Sequence, residues 1–312
     1  MSADANRDGL KMLRREPSLF AMELLWRWSF GLGLLALMVA AYAKLRPALI
    51  LTEADELALH SQDPVLLAQG LTDLLAPVLP FLGKLCVQLS IWACLLWTIA
   101  STVGRGAITR VLVRSATRDA ALPIFEDRPR WLSYLLLQFA RVVMLLILVV
   151  GYLGGAFVAA LTVPTNMLAA SGIVFVALCL AYVLWSYVNW VLSLAPIFVA
   201  CDGASPLDAV VEAIGFIGRH RTELRSVAVW NGSLRGAAAT VVSLFGVFTV
   251  AASAMPVWLS VSLLVVETLV YLLISDALLL ARLAAYSRIA VQEVAIVTQA
   301  ASLTDRNGTS VS

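Results

Sequence analysis

Positive charge is absent from three long stretches of this chain, and that absence constrains the fold more than any other feature. No Lys or Arg occurs between Arg46 and Lys84, from Val142 to Ile217, or from Gly236 to Ala281. Most of the basic residues lie between these stretches, at 11–27, 105–141, 219–235 and 282–288. This pattern is typical of a helical protein that crosses a bilayer repeatedly and keeps its basic loops on the cytoplasmic side.

Composition excludes a water-soluble domain. The chain is 61% hydrophobic and 13% charged, whereas soluble domains average roughly 45–50% and 25%. A soluble protein of this length could not bury so much apolar surface in one core. We therefore predict an all-α, polytopic integral membrane protein with cytoplasmic amphipathic helices. Its six transmembrane helices are predicted at about 28–45, 81–102, 132–161, 172–194, 236–254 and 258–280.

Three segments follow from this topology. Residues 1–27 are predicted as a cytoplasmic N-terminal segment with an interfacial helix, 28–297 as the six-span domain and 298–312 as a disordered cytoplasmic tail. The acidic stretch 47–80 is predicted as an outer loop. An even number of spans leaves both termini in the cytoplasm, and we expect a bacterial inner membrane.

Local signals locate the inner helices. Pro196 is expected to end or kink the fourth span. Ser205 and Pro206 are typical of the N-cap and first position of a helix, and an apolar stripe follows. The stripe consists of Leu207, Val210, Val211, Ile214 and Ile217. A basic cytoplasmic patch, suited to anionic lipid head groups, is predicted from Arg110, Arg114, Arg118, Arg219, Arg221 and Arg225.

Four polar residues lie within predicted spans, where such groups are costly and often functional. They are Glu267, Asp276, Arg141 and Asn189. Glu267 is either a proton- or substrate-binding group in a cavity or a buried carboxyl that is protonated or bonded to Tyr271 or Thr268. Arg141 either binds an anion or has a structural role, snorkelling to head groups or pairing with Asp276. Nine positions separate Glu267 from Asp276, which points them to opposite sides of a helix.

Two strips of small residues are candidates for close helix packing. Gly151 and Gly155 form one in the third span, and Gly232 and Gly236 form another at the start of the fifth. Such spacing lets two helices approach closely. We expect these contacts within the chain rather than at a dimer face.

The motifs of common enzymes are absent from the sequence. It contains no phosphate-binding loop, no G-x-S-x-G and no H-E-x-x-H. Its four cysteines and two histidines form no C-x-x-C or Cys/His cluster, so neither a metal site nor a disulfide framework is predicted. We expect no cofactor, no nucleic-acid partner and no catalytic residues.

The segment from Asn189 to Trp230 resembles a known group. A span ends near Pro196, a turn follows at Gly203, and then come an amphipathic helix, a basic patch and Trp230. This order resembles uncharacterised bacterial polytopic proteins related to the membrane domain of glycerophosphodiester phosphodiesterases. The resemblance covers about a seventh of the chain and implies an all-helical membrane protein. No phosphodiesterase catalytic domain is present, so that activity is not implied.

The sequence therefore favours a non-enzymatic scaffold or accessory component of an envelope or transport process. It would dock through its basic cytoplasmic helices, with the lipid bilayer and a membrane-protein partner or second copy as its contacts. The alternative is a small secondary transporter that uses Glu267, with Arg141 in a shared cavity. These two readings differ in whether Glu267 faces a water-accessible cavity.

Overall fold

The chain folds into α-helices. A computed structural model describes residues 9, 11–12, 14–48, 66, 70, 72, 76–120, 130–162, 167–251 and 256–308. These described residues are 97% helical and contain no strand. The predicted all-α class is confirmed.

Seven helices follow one another along the described part of the chain. They are α1 (Pro17–Leu45), α2 (Leu79–Asp119), α3 (Trp131–Thr162), α4 (Met167–Asp202), α5 (Pro206–Arg219), α6 (Arg221–Ala251) and α7 (Val257–Gly308). All except α5 are long and apolar enough to cross a membrane. The protein is therefore a multi-pass membrane protein with the predicted number of candidate spans.

Several helices are longer than the sequence predicted. The expected interfacial helix and first span form the single helix α1, and α7 continues to Gly308, through part of the expected disordered tail. Pro196 does not end the fourth span, because α4 passes through it to Asp202. The neighbours Ala195 and Ile197 are buried, and their packing outweighs the roughly 3 kcal/mol penalty of an interior proline. Most of the predicted outer loop 47–80 lies outside the described residues.

The turn between α4 and α5 has the predicted chemistry. Gly203 has φ 61°, a conformation that glycine adopts without steric cost. The Ser205 hydroxyl oxygen then accepts from the Asp208 N–H at 3.3 Å. Pro206 occupies the first helical position, where a proline loses no helical hydrogen bond. The cap and the turn therefore begin α5 as the sequence indicated.

The chain forms two compact units, Trp26–Ala100 and Met1–Leu25 with Ser101–Ser312. In the smaller unit, the Trp97 ring meets Trp26 and Phe30 edge-on, with centroids 5.6 and 4.9 Å away. A side chain at Gly33 would lie 2.7 Å from Leu96. This glycine therefore permits the close approach of α1 to α2.

The larger unit has its core at one end of its helices. We call this the inner end: residues 101–119, 131–142, 191–202, 206–217, 221–231 and 280–291. Its largest fully buried side chains include Ile108, Leu112, Gln138, Leu194, Ile197, Phe216, Leu224, Val227, Leu280 and Tyr286. Within the unit, α3 packs mainly on α4, α6 on α7, and α5 on α4.

The N-terminal segment contributes to this core. A side chain at Gly9 would lie 2.7 Å from the backbone oxygen of Ala281, and Met12 and Leu19 are buried. Gly9 and Met12 therefore pack into the unit that contains α7, whereas Lys11, Arg14 and Arg15 are exposed.

The apolar halves of the spans have no comparable core. At most 17% of the most apolar window of any span is buried within the protein. Exposed apolar side chains are expected there, because lipid tails are as apolar as the side chains themselves. The protein therefore covers its inner end with its own residues, and the bilayer covers the rest.

Replacing Phe216 by Ala tests the importance of the inner-end core. Phe216 is fully buried and its ring meets Phe198 at 5.4 Å. The cavity left behind should lower the free energy of unfolding by about 3–5 kcal/mol. Phe245→Ala is the matched control, since Phe245 is exposed toward the lipid. The Phe245→Ala substitution should change the free energy of unfolding by about 0.5 kcal/mol or less. Equal effects in detergent unfolding curves would contradict this location of the core.

Candidate functional site

Arg141 lies at the centre of a polar cluster in the inner end. It projects from α3, is 4% exposed, and donates to Gln138 Oε1 at 3.3 Å and to Ser193 Oγ at 3.1 Å. Among the described residues it makes no ion pair. It therefore neither snorkels to the surface nor pairs with Asp276, the two structural roles that the sequence had left open. Two neutral side chains hold this buried cation instead.

Two further arginines act on Arg141 through space. The positive charges of Arg105, on α2, and Arg282, on α7, are both close enough to repel it. Like charges at such distances raise the energy of the folded protein unless an anion or water balances them. Arg141 is therefore buried near two further positive charges, one on α2 and one on α7.

A hydrogen-bond chain connects this cluster to a cavity. Ser193 accepts from Arg141 and donates to the backbone oxygen of Asn189 at 2.6 Å. Asn189 lines a cavity of about 360 Å³, together with Tyr182 and Arg282. A second cavity, of about 380 Å³, also has Tyr182 and Arg282 in its wall, and Arg235 lies opposite on α6. The two cavities thus adjoin along one face of the unit, and we call them together the arginine groove.

Glu267 lies near the N-terminal end of α7 and does not line this groove. Its Oε1 is 3.0 Å from the Thr249 hydroxyl on α6, and that hydroxyl is also 3.0 Å from the Phe245 carbonyl oxygen. The expected partner Thr268 donates instead to Leu264 O. A threonine hydroxyl has one proton to donate. Glu267 and Phe245 therefore share this single donor.

Asp276 is buried in the inner half of α7 and is engaged in an interaction within the fold. It lines none of the three cavities that are described in this section, and neither does Glu267 or Arg141. The shared Glu267–Arg141 cavity of the transporter hypothesis is therefore not among them. Of the four predicted polar residues, the structure connects Arg141 and Asn189, through Ser193.

The predicted basic patch is divided between two places. Arg114 and Arg118 are exposed on α2, while Arg110 is half-buried and its guanidinium stacks 4.8 Å from the centre of the Trp131 ring. Arg221 and Arg225 are exposed at the start of α6, as Arg219 is at the end of α5. Arg219 is committed to contacts within the chain and does not act as a free surface charge.

Arg219 fastens α5 to α7. Its guanidinium pairs with Glu212 Oε1 at 2.5 Å and with Glu293 Oε1 at 2.7 Å. Hydrogen bonding to Glu212, and then to Glu293, raises the pKa of Arg219 above its ordinary value, so its charge is secured. His220 Nε2 lies 3.2 Å from Glu293 Oε2. These groups border a cavity of about 240 Å³ between α5 and α7.

The glycine strips differ from their predicted role. A side chain at Gly155 would touch Ala177 at 4.0 Å, so α3 approaches α4 there. At Gly151, Gly232 and Gly236, an added side chain would meet no other atom of the described structure within 4 Å. No close packing within the chain occurs at these three. Gly232 and Gly236 instead line the arginine groove, where they leave space.

Sequence reasoning missed several residues of this site. Arg235 and Arg282 were used only as markers of membrane boundaries, although both line the groove. Ser193, Gln138 and Glu293 carried no local signal, because each stands alone in an apolar or mixed segment. The sequence offered one signal for Arg282. Its distance along the chain from Trp258 places it near a lipid head-group layer.

The described residues hold no group of three or more His, Cys, Asp or Glu side chains able to bind a metal ion. All four cysteines are free. Together, the helices and the polar inner end define the class: a six-span helical membrane protein with a basic groove. Comparison with protein-family models, curated proteins and solved structures found no match for the chain. The resemblance of the 189–230 segment accordingly stays an expectation.

Replacing Glu267 by Gln and by Leu tests whether the hydrogen bond to Thr249 is the structural role of this side chain. The Gln amide oxygen can accept from Thr249 as the Glu267 oxygen does, so Glu267→Gln should leave unfolding in detergent unchanged. Glu267→Leu should destabilise by about 1 kcal/mol, the typical net value of one hydrogen bond. Thr249→Val should do the same, and the double variant should cost no more than either. If the two changes add in the double variant, this hydrogen bond is not what holds Glu267.

Proposed function

We propose that this protein is a non-enzymatic accessory component of a bacterial inner membrane that holds a protein partner on its cytoplasmic helix α5. The observation that supports this is a row of apolar side chains on α5 that its own chain leaves uncovered. Leu207, Val211 and Ile214 are 79%, 68% and 46% exposed, and we call these three the α5 ridge. Unlike the spans, α5 is not a candidate to cross the membrane.

The ridge differs from the face by which α5 attaches to the protein. Ala209, Ala213, Phe216 and Ile217 are buried, so Ile217 alone of the predicted stripe belongs fully to the core. Residues 207, 211 and 214 follow helical spacing and fall on one side. The apolar surface of α5 thus extends beyond the face that packs against the rest of the protein. Exposed apolar patches of this kind mark interaction sites.

The charges beside the ridge favour a protein over the lipid surface. Asp208 and Glu212 lie on the polar side of α5, and Arg219 is its only basic residue. One positive against two negative charges gives a net charge of −1. Helices that lie in a lipid interface are instead rich in Lys and Arg, because the inner leaflet is anionic. The occupant that fits is an apolar or basic surface of another protein.

The anchorage of α5 makes it a rigid platform. Arg219 of α5 forms an ion pair with Glu293 on α7, and Phe216 of α5 packs on Phe198 of α4. A helix that is fixed at both its buried face and its C-terminal end loses little further freedom when a partner binds. A scaffold function needs this rigidity.

A photo-crosslinking residue at Val211 tests the α5 ridge in intact cells at native expression. We expect one protein adduct of defined mass. The control position is Thr222, which is exposed at the start of α6, and it should give no adduct. Adding Leu207→Gln and Ile214→Gln should abolish the adduct while the protein stays folded, since both residues are exposed. Adducts with lipid alone, or a protein adduct that survives these changes, would refute the proposal.

The proposed orientation places both termini and α5 in the cytoplasm. In a variant without Cys86, Cys94, Cys179 and Cys201, a cysteine at Thr222 should react with a membrane-impermeant maleimide only after the membrane is opened. A cysteine at Asp63, in the predicted outer loop, should react in intact spheroplasts. The opposite labelling pattern would invert the topology and remove α5 from the cytoplasm.

A further inference from the structure

We infer that the arginine groove is a binding site for the head group of an anionic phospholipid of the inner leaflet. It lies between α4, α6 and α7, with Arg235 and Arg282 among its lining residues. This inference concerns a surface separate from the α5 ridge. It rests on the proposed orientation of the spans and does not depend on the proposed docking function.

The charge of the groove is not balanced by the protein. Neither Arg235 nor Arg282 has an ion pair or hydrogen-bond partner within the described part of the chain. The Nε of Arg282 is buried without a hydrogen-bond partner. The charge of Arg282 also repels that of the buried Arg141. A buried donor that lacks a partner costs about 1–3 kcal/mol, so an anion in the groove would relieve both the repulsion and the unmet donor.

The depth of the groove matches that of a lipid phosphate. Arg282 follows Trp258 by 24 positions, or about 36 Å of helix, whereas the hydrocarbon core is about 30 Å thick. Arg235 precedes Ala251, the end of α6, by 16 positions, or about 24 Å of helix. Arg282 therefore reaches the head-group region at the end of its span, and Arg235 lines the same cavity. Basic pockets between transmembrane helices on this side are suited to phospholipid head groups.

The remaining lining suits the rest of a lipid molecule. Tyr182 is 70% exposed, so the groove is open to the side that the bilayer occupies. Tyr182 and Tyr271 supply hydroxyl groups near the arginines. Tyrosine is favoured at a membrane interface because its ring contacts apolar groups while its hydroxyl contacts water. Gly232 and Gly236 leave open space along α6. This space would admit the glycerol and the first part of an acyl chain.

The test measures how much anionic lipid the purified full-length protein retains. The protein is reconstituted in phosphatidylcholine vesicles with a trace of spin-labelled phosphatidylglycerol, and the motionally restricted fraction is recorded. Arg235→Gln with Arg282→Gln should weaken binding by about thirtyfold, from roughly fivefold for each basic residue. The control, Arg221→Gln with Arg225→Gln, removes the same charge from the exposed start of α6 and should leave binding unchanged. Equal loss in both pairs would overturn the inference in favour of a general surface charge effect.

A second variant tests the site independently of whether the double arginine variant folds. Gly236→Phe fills the groove while both arginines remain, and an added side chain there meets no atom within 4 Å. It should reduce lipid retention about as strongly, whereas Gly151→Phe, also in open space on α3, should not. Unchanged retention in Gly236→Phe would exclude this groove as the site.

Two further measurements distinguish a lipid phosphate from the phosphate of a soluble compound. Spin-labelled phosphatidylcholine should show no comparable restricted fraction, and millimolar inorganic phosphate should not displace the anionic lipid. If the neutral lipid binds equally well, the arginines do not select a charge and the inference fails. If inorganic phosphate binds alone and displaces the lipid through Arg235 and Arg282, the occupant is a soluble phosphate compound and the lipid assignment is wrong.

Discussion

The core at the inner end is the packing on which the rest of this protein depends. Helices α2 to α7 meet there, around side chains such as Phe216 and Tyr286 that are fully buried. Toward the outer end, the helices expose apolar surface that lipid satisfies without close helix contact. The larger unit is therefore held together at one end. The Arg141 cluster, the Arg219 ion pairs and the arginine groove are positioned by that end, whereas the Glu267–Thr249 hydrogen bond lies outside it.

Concentrating the packing at one end also explains how a buried cation is tolerated. Arg141 is surrounded by helix segments that are dense enough to exclude lipid, and Gln138 and Ser193 can therefore be held at hydrogen-bond distance. A lone arginine facing hydrocarbon would instead snorkel or be excluded. The same packing brings Arg105 and Arg282 near Arg141. A positive field that no protein carboxylate in the groove balances is the physical basis of the proposed lipid site.

The two proposed surfaces use opposite chemistry on one scaffold. The α5 ridge is apolar and flanked by acidic side chains, so it disfavours the anionic leaflet and favours a protein. The arginine groove is basic and opens toward the bilayer, so it favours lipid. Glu267 belongs to neither surface. Its hydrogen bond to Thr249 joins α6 to α7 in the apolar half, where few other polar contacts are available.

The sequence alone determined the class, the number of spans and the start of α5, because hydropathy, charge asymmetry and capping are local properties of the chain. It also found Arg141 and Glu267, since a charge within an apolar run is visible without a structure. Tertiary structure decided what those charges contact, and it decided which face of α5 is covered. Leu207 and Ile217 look alike in a helical repeat, but only one has a neighbouring helix over it. The partners Ser193 and Thr249 come from other helices, and sequence spacing carries no information about contacts between helices that only packing creates.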